Sequence, residues 1–143
     1  MHYVGLVSKE GRHYLVEFPD APGCQTFAES KAKLAAMAED ALLGWLEAHL
    51  VTGEVPPLVH KKRLSKRKNT IVVPVPPLLA VKIELRRARL ARRITQAELA
   101  RRMGVSQSVV TDLENPDHNS TLDSLSRAAT ALHAELDVRI ETL

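Results

Sequence analysis

Thr95-Gln96-Ala97-Glu98-Leu99-Ala100-Arg101-Arg102-Met103-Gly104-Val105-Ser106-Gln107-Ser108-Val109-Val110-Thr111-Asp112-Leu113-Glu114 is the stretch that decides the architecture of the chain's second half. Thr95 and Glu98 stand in capping-box register: the threonine hydroxyl can accept from the Glu98 amide while the Glu98 side chain reaches back. Leu99, Ala100 and Met103 recur at helical spacing and give this first helix an inward face. Gly104 follows directly, where a left-handed residue lets the chain leave a helix and turn sharply. Val105 plugs the corner and Ser106 caps a second helix. In that helix Val109, Val110 and Leu113 are expected inside, with Gln107, Ser108, Thr111 and Asp112 outside. Ala100 is small where the two helices must cross closely.

Working outward, Asn115-Pro116 ends the second helix and Thr121 caps a further one, with Leu122, Leu125, Ala128, Ala129 and Leu132 at core spacing. Upstream, Pro76-Pro77 opens a helix from about Leu78. The tail Ala134-Glu135-Leu136-Asp137-Val138-Arg139-Ile140-Glu141-Thr142 alternates polar and apolar residues, the pattern of a strand. Pairing with the same strand of a second chain would cover both edges and make a dimer interface.

The string from Thr95 to Glu114 closely resembles the Cro/C1-repressor, or XRE-type, helix-turn-helix. The resemblance implies that the second helix enters the major groove of duplex DNA with its N-terminal residues at base edges. Carried over position by position, Gln107, Ser108 and Asp112 would face bases and Gln96 would contact phosphate; Ser106 and Thr111 share that surface. Gln107 suits adenine, and Asp112 suits the N4 amine of cytosine. The family often has a longer polar residue where Ser108 stands, which reduces the direct base contacts available. Two copies are implied, because a symmetric operator needs two reading heads about 34 Å apart. Arg86, Arg87, Arg89, Arg92, Arg93, Arg101 and Arg102 form a basic stripe beside this motif. Such a stripe is either a solvated face or a set of phosphate clamps. Arg101 and Arg102 are the first choices as clamps, since they lie on the helix that would cross the DNA backbone.

The first half has a different grammar. Tyr3 to Lys9 reads as a strand stopped by Glu10-Gly11, and Arg12 to Phe18 as its returning partner. Pro19 ends that pairing because it has no amide donor. A rigid loop, Pro19-Asp20-Ala21-Pro22-Gly23, follows, with a short third strand from Cys24 to Phe27. A long helix starts at Glu29 or Ser30, its apolar face expected from Leu34, Met37, Ala38, Ala41, Leu42 and Trp45, and it stops near Gly53. A basic linker, 58–70, leads to Thr70-Ile71-Val72-Val73, a fourth strand. That linker reads as a flexible tether, a protease-sensitive site or an extra phosphate-binding arm.

Tyr14-Leu15-Val16-Glu17-Phe18-Pro19-Asp20-Ala21-Pro22-Gly23-Cys24-Gln25-Thr26 looks like the signature of HicB-type antitoxins, whose second strand runs into a Phe-Pro-Asp-x-Pro-Gly-Cys loop. The Gly53-Glu54-Val55-Pro56-Pro57 exit and the junction from Val73 to Lys82 match as well. The likeness covers nearly the whole chain, in the variant that ends in a helix-turn-helix. Phe27-Ala28-Glu29-Ser30 departs from the glycine-acidic pair the family usually has there. The resemblance implies a partial ribonuclease H-like domain that binds a HicA-type mRNA-cleaving ribonuclease and masks its active site. Glu17, Asp20, Ala21, Pro22, Gly23, Cys24 and Gln25 are the candidate toxin-binding residues.

Charge points the same way. Residues 1–57 carry eight acidic side chains (Glu10, Glu17, Asp20, Glu29, Glu39, Asp40, Glu47, Glu54) against Lys9, Arg12, Lys31 and Lys33. Six basic and no acidic residues fall in 58–70. A nuclease that grips RNA presents a positive face, which an acidic domain can occupy.

Other chemistries find little footing. Glu10 sits at a turn and Glu17 points opposite to Phe18, so the carboxylate cluster that two-metal catalysis requires is not expected. Cys24 is the sole cysteine, without a lysine or arginine nearby in sequence to activate it. His2, His13, His49, His60, His118 and His133 show no metal-ligand spacing, and no cofactor is expected. With no apolar run of about 18 residues and no signal-peptide layout at Met1–Gly5, the expectation is a cytoplasmic, non-membrane protein. The sequence thus predicts an α+β domain, 1–75, followed by an all-α helix-turn-helix domain, 76–143, with a C-terminal dimerising strand. The expected function is a non-enzymatic antitoxin that binds a toxin ribonuclease and operator DNA. The alternative is a stand-alone regulator whose first domain senses a ligand or dimerises; a weaker one is a catalytic ribonuclease H relative.

Overall fold

The computed structural model describes residues 1–60 and 69–143, so most of the basic linker lies outside the described residues. The chain divides into two compact units, Met1–Pro77 and Leu78–Leu143.

In the first unit, β1 (His2–Glu10), β2 (His13–Glu17) and β3 (Gln25–Ala28) precede α1 (Lys31–Val51), and β4 (Thr70–Pro74) returns to the sheet. The order is β3-β2-β1-β4, and every neighbouring pair is antiparallel. Gly11 makes the tight β1–β2 turn possible, with φ 61° immediately after the Glu10↔His13 pair. Val7 lies opposite Val16, and Tyr3 opposite Val73; Tyr3, Val16 and Val73 are all buried. Gly5 lies between them for want of room. A Cβ there would stand 2.7 Å from Val16 Cγ1 and 2.9 Å from Ile71 Cγ2.

α1 packs across this sheet with a buried stripe of Ala38, Leu42, Leu46 and Leu50. That stripe is rotated from the expected face. Met37 is 40% exposed and Trp45 is only half-buried, because strict four-residue spacing puts Leu46 and Leu50 beneath the helix instead. Trp45 turns to the Pro19–Cys24 loop, where its indole N–H donates to the Pro22 carbonyl at 3.2 Å. An indole N–H needs such an acceptor, which an aliphatic core does not supply.

The second unit is all-helical: α2 (Pro77–Ala91), α3 (Gln96–Met103), α4 (Gln107–Glu114) and α5 (Leu122–Ala131). Leu85, Ile94, Leu99, Ala100, Val110, Leu113, Leu125, Ala128 and Leu132 form its core. Gly104 ends α3 in the left-handed conformation, φ 69° and ψ 32°. Two expected core residues lie outside: Val109 is 37% and Leu122 59% exposed. An eight-residue helix offers the core about two turns, and Val110 with Leu113 occupies them.

The local caps are partly as expected. Thr95 Oγ1 accepts from the Glu98 amide at 3.1 Å, and Thr121 Oγ1 from the Ser124 amide at 3.1 Å. The Glu98 carboxylate does not close the box, since it pairs with Arg101 and Arg102. Ser106 holds the N-cap position of α4 without a side-chain cap bond; its hydroxyl meets that of Ser108 at 2.9 Å. The tail forms no strand within the chain. A strand needs a ladder partner, and only Leu136 of this segment packs against the core.

Candidate nucleic-acid interface

Gln107, Ser108 and Thr111 are exposed along one side of α4, with Ser106 at its head. Asp112 is half-exposed, and its carboxylate lies 3.7 Å from His118 Nε2 on the following loop. The Thr111 hydroxyl lies 3.1 Å from Gln96 Oε1 and 3.2 Å from the Gln107 carbonyl, able to donate to either.

Behind this surface Gln96 is tied inward rather than left free, its Nε2 donating to Glu114 Oε2 at 3.0 Å. Glu114 has no exposed surface. Its carboxylate also accepts from Arg86 Nε at 2.9 Å, Arg89 Nε at 2.6 Å and Arg89 Nη2 at 2.9 Å. Arg89 donates further to the Ile94 carbonyl at 2.8 Å. Burial pushes the Glu114 carboxyl up, but the hydrogen bonds from Arg89, Gln96 and Arg86, with the Arg89 charge, outweigh it. The group is held below the ordinary carboxylate range.

Two arginines of the basic stripe are therefore not available to phosphate: Arg86 is 4% and Arg89 7% exposed. Arg92, Arg93, Arg101 and Arg102 stay at the surface. Arg101 binds Glu98 in a fork, Nε to Oε2 at 2.8 Å and Nη2 to Oε1 at 2.7 Å, and Arg102 Nε adds a third bond at 3.1 Å. The hydrogen bonds of Arg101 and then Arg102 hold the Glu98 carboxyl down to about 2.

Glu114 and Lys82 were not singled out by their sequence context. Glu114 did carry a signal: it occupies the inward position four residues after Val110, where an acid requires buried cations. Lys82, Arg86 and Arg89 share one face of α2 by their spacing.

On the first unit the Phe18–Cys24 loop is closed on itself by Phe18 N to Cys24 O, Ala21 N to Phe18 O and Cys24 N to Ala21 O. Ala21 and Cys24 are buried, so a partner docking there would meet Glu17, Pro22, Gly23 and Gln25, which are exposed. The Asp20 carboxylate is largely covered and accepts from the His60 amide at 3.2 Å. Cys24 Sγ lies 3.5 Å from the Ala41 carbonyl, and burial pushes its thiol up, away from the reactive thiolate. Among the described residues no group of three or more His, Cys, Asp or Glu is placed to hold a metal ion, and no helix is long and apolar enough to cross a membrane.

An α+β unit followed by a four-helix unit with this tight helix–turn–helix defines the class as a helix-turn-helix DNA-binding protein, and a helix-turn-helix family model matches residues 85–138. Antitoxin HicB of Escherichia coli (strain K12) is 36% identical over 125 residues, 87% of this chain and 88% of that protein. Antitoxin HicB 1 of Photorhabdus laumondii is 32% identical over 138 residues, 96% and 85% of the two chains. A chain of a HicA3 and HicB3 toxin–antitoxin complex matches 54% of this chain and all of its own length, at 22% identity and a TM-score of 0.47. The chain belongs to the HicB antitoxin family.

Proposed function

We propose that the chain neutralises a HicA-type mRNA-cleaving ribonuclease by occluding its active site with the first unit. The second unit, paired about a twofold axis, binds operator duplex and represses transcription of its own module. One observation carries the DNA half: α4 presents Gln107, Ser108 and Thr111 outward while Val110, Leu113 and Glu114 anchor it from behind. That is the geometry a groove-reading helix requires. Arg101 and Arg102, on α3, are the phosphate contacts of choice, exchanging Glu98 for the DNA backbone.

The toxin half is supported by relatives named as HicB antitoxins and by the acid excess of residues 1–57. We read that unit as a partial ribonuclease H-like domain used for binding. Its acids are engaged or dispersed: Glu10 closes the hairpin, Asp20 is held by His60 and Glu29 by Lys33. Dimerisation through the tail is supported by Val138 and Ile140, 57% and 95% exposed, which a ribbon shared by two chains would cover.

The second reading, a ligand-sensing regulator, would place its ligand in a half-open cleft of about 550 Å³ on the first unit, between Lys9, Tyr14, Lys31 and Leu34. Co-expression with the neighbouring reading frame, followed by size-exclusion chromatography with and without promoter duplex, separates the two. The antitoxin reading expects a co-eluting small basic chain and a further shift with duplex. A duplex shift without a co-eluting chain favours the regulator, and no shift at all removes the DNA assignment.

A further inference from the structure

The last carbonyls of any α-helix lack intrahelical donors. α4 leaves them without the usual remedy. Asn115 departs in extended backbone, φ −82° and ψ 123°, so no left-handed residue folds the chain back; only the Asn115 amide turns inward, donating to the Asp112 carbonyl at 3.2 Å. The remaining donors come from α2. Lys82 Nζ donates to the Asp112 carbonyl at 3.0 Å and the Leu113 carbonyl at 3.2 Å, and Arg86 Nη2 reaches the Glu114 carbonyl at 3.5 Å. The same ammonium donates to Ser120 Oγ at 2.8 Å, tying down the far end of the loop that follows α4. All three donors of the ammonium are thus used.

Lys82 has no exposed surface. Burying an ammonium is costly, and an apolar side chain on this face of α2 would fill the space without that penalty. Its charge sits at the negative pole of α4, where it is favourable. α4 is about 12 Å long, so a tilt of about 10° about its clamped end would move Gln107 by about 2 Å. That displacement is enough to break a base-edge hydrogen bond.

We propose that Lys82 is a positioning residue for DNA reading: it clamps the last turn of α4 and the loop to Ser120 onto α2, setting the depth and tilt at which Gln107 and Ser108 meet base pairs, without touching DNA. This rests on α4 being the reading helix.

The test uses the full chain, with Lys82→Met, which keeps the stem and removes the donors. Leu125→Ala serves as a control that weakens the same core away from the clamp. Affinities are measured for a duplex of the chain's own promoter and for a scrambled duplex of equal length, and amide hydrogen exchange is followed through residues 107–114. Lys82→Met lowers the own-to-scrambled affinity ratio about tenfold and speeds exchange in α4 more than in α5, whereas Leu125→Ala leaves the ratio as in the wild type. Should Lys82→Met fail to fold, Ser120→Ala, which keeps the ammonium and removes its acceptor on the loop, is read the same way. An unchanged ratio with α4 protection intact overturns the proposal. A wild-type chain with no preference for its own promoter removes the DNA-reading account instead, and the clamp then stands or falls on the exchange of α4.

Discussion

Glu114→Gln is the most informative single change in the second unit. The carboxylate accepts four hydrogen bonds, from Arg86, twice from Arg89, and from Gln96, and none of the ion-pair atoms has appreciable exposure. The amide that replaces it cannot neutralise either guanidinium and turns an N–H₂ toward existing donors. Removing one partner of a buried ion pair costs about 3–5 kcal/mol, while a unit the size of Leu78–Leu143 has a total stability of roughly 3–10 kcal/mol. The loss consumes most of it, and the melting temperature of this unit is expected to fall on the order of 20 °C. The pH dependence has a defined sign. The folded carboxyl titrates below its ordinary 4.5, so the unfolded chain binds the proton first as pH falls. The stability linked to Glu114 is complete above about 4.5 and drains as the pH drops through the folded pKa. Calorimetry of the full chain from pH 7 to pH 3 is expected to show a steeper acid limb in the wild type than in Glu114→Gln, which keeps only the part due to other carboxyls such as Glu98. The triple variant Arg86→Met, Arg89→Leu, Glu114→Leu is expected to lose less than the single change, because no unpaired charge remains. A Glu114→Gln chain within about 1 kcal/mol of wild type would refute this account of the buried network.

Gly104→Ala meets no steric obstacle, so its cost is the left-handed backbone alone, about 1–2 kcal/mol by denaturant unfolding. Gly5→Ala is the opposite case. Its φ needs no glycine, but the new methyl collides with Val16 and Ile71, and overpacking of about 1–3 kcal/mol is expected in the first unit only. Arg101→Ala is expected to lower the slope of log affinity against log salt for duplex binding by about 0.9, the release of one phosphate contact; an unchanged slope places Arg101 off the DNA. Trp45→Phe removes the indole bond to the Pro22 carbonyl and is expected to cost about 1 kcal/mol, with faster amide exchange at Ala21 and Cys24.

What could be read from the residues in order was everything governed by neighbours a few positions away. The Thr95 cap, the left-handed Gly104, the Thr121 cap and the hairpin turn at Gly11 all follow from hydrogen bonds and sterics within one turn of chain. The four strands were legible as alternating runs, but the alternating tail shows that a ladder partner decides whether such a run becomes a strand. The family signature on the Tyr14–Thr26 stretch is likewise a local string. Tertiary structure alone decided where the charges went. Arg86 and Arg89 looked like members of a phosphate-facing stripe, and they are inside because Glu114, 25 and 28 residues on, enters the core beside them. Lys82 is buried for the same kind of reason, through the carbonyls of Asp112 and Leu113. The rotation of α1 that put Leu46 beneath it and Trp45 against the loop was also a matter of which sheet face it met. Helical period is written in the sequence, but the partner that makes burying a charge or an indole favourable is brought near only when distant segments pack.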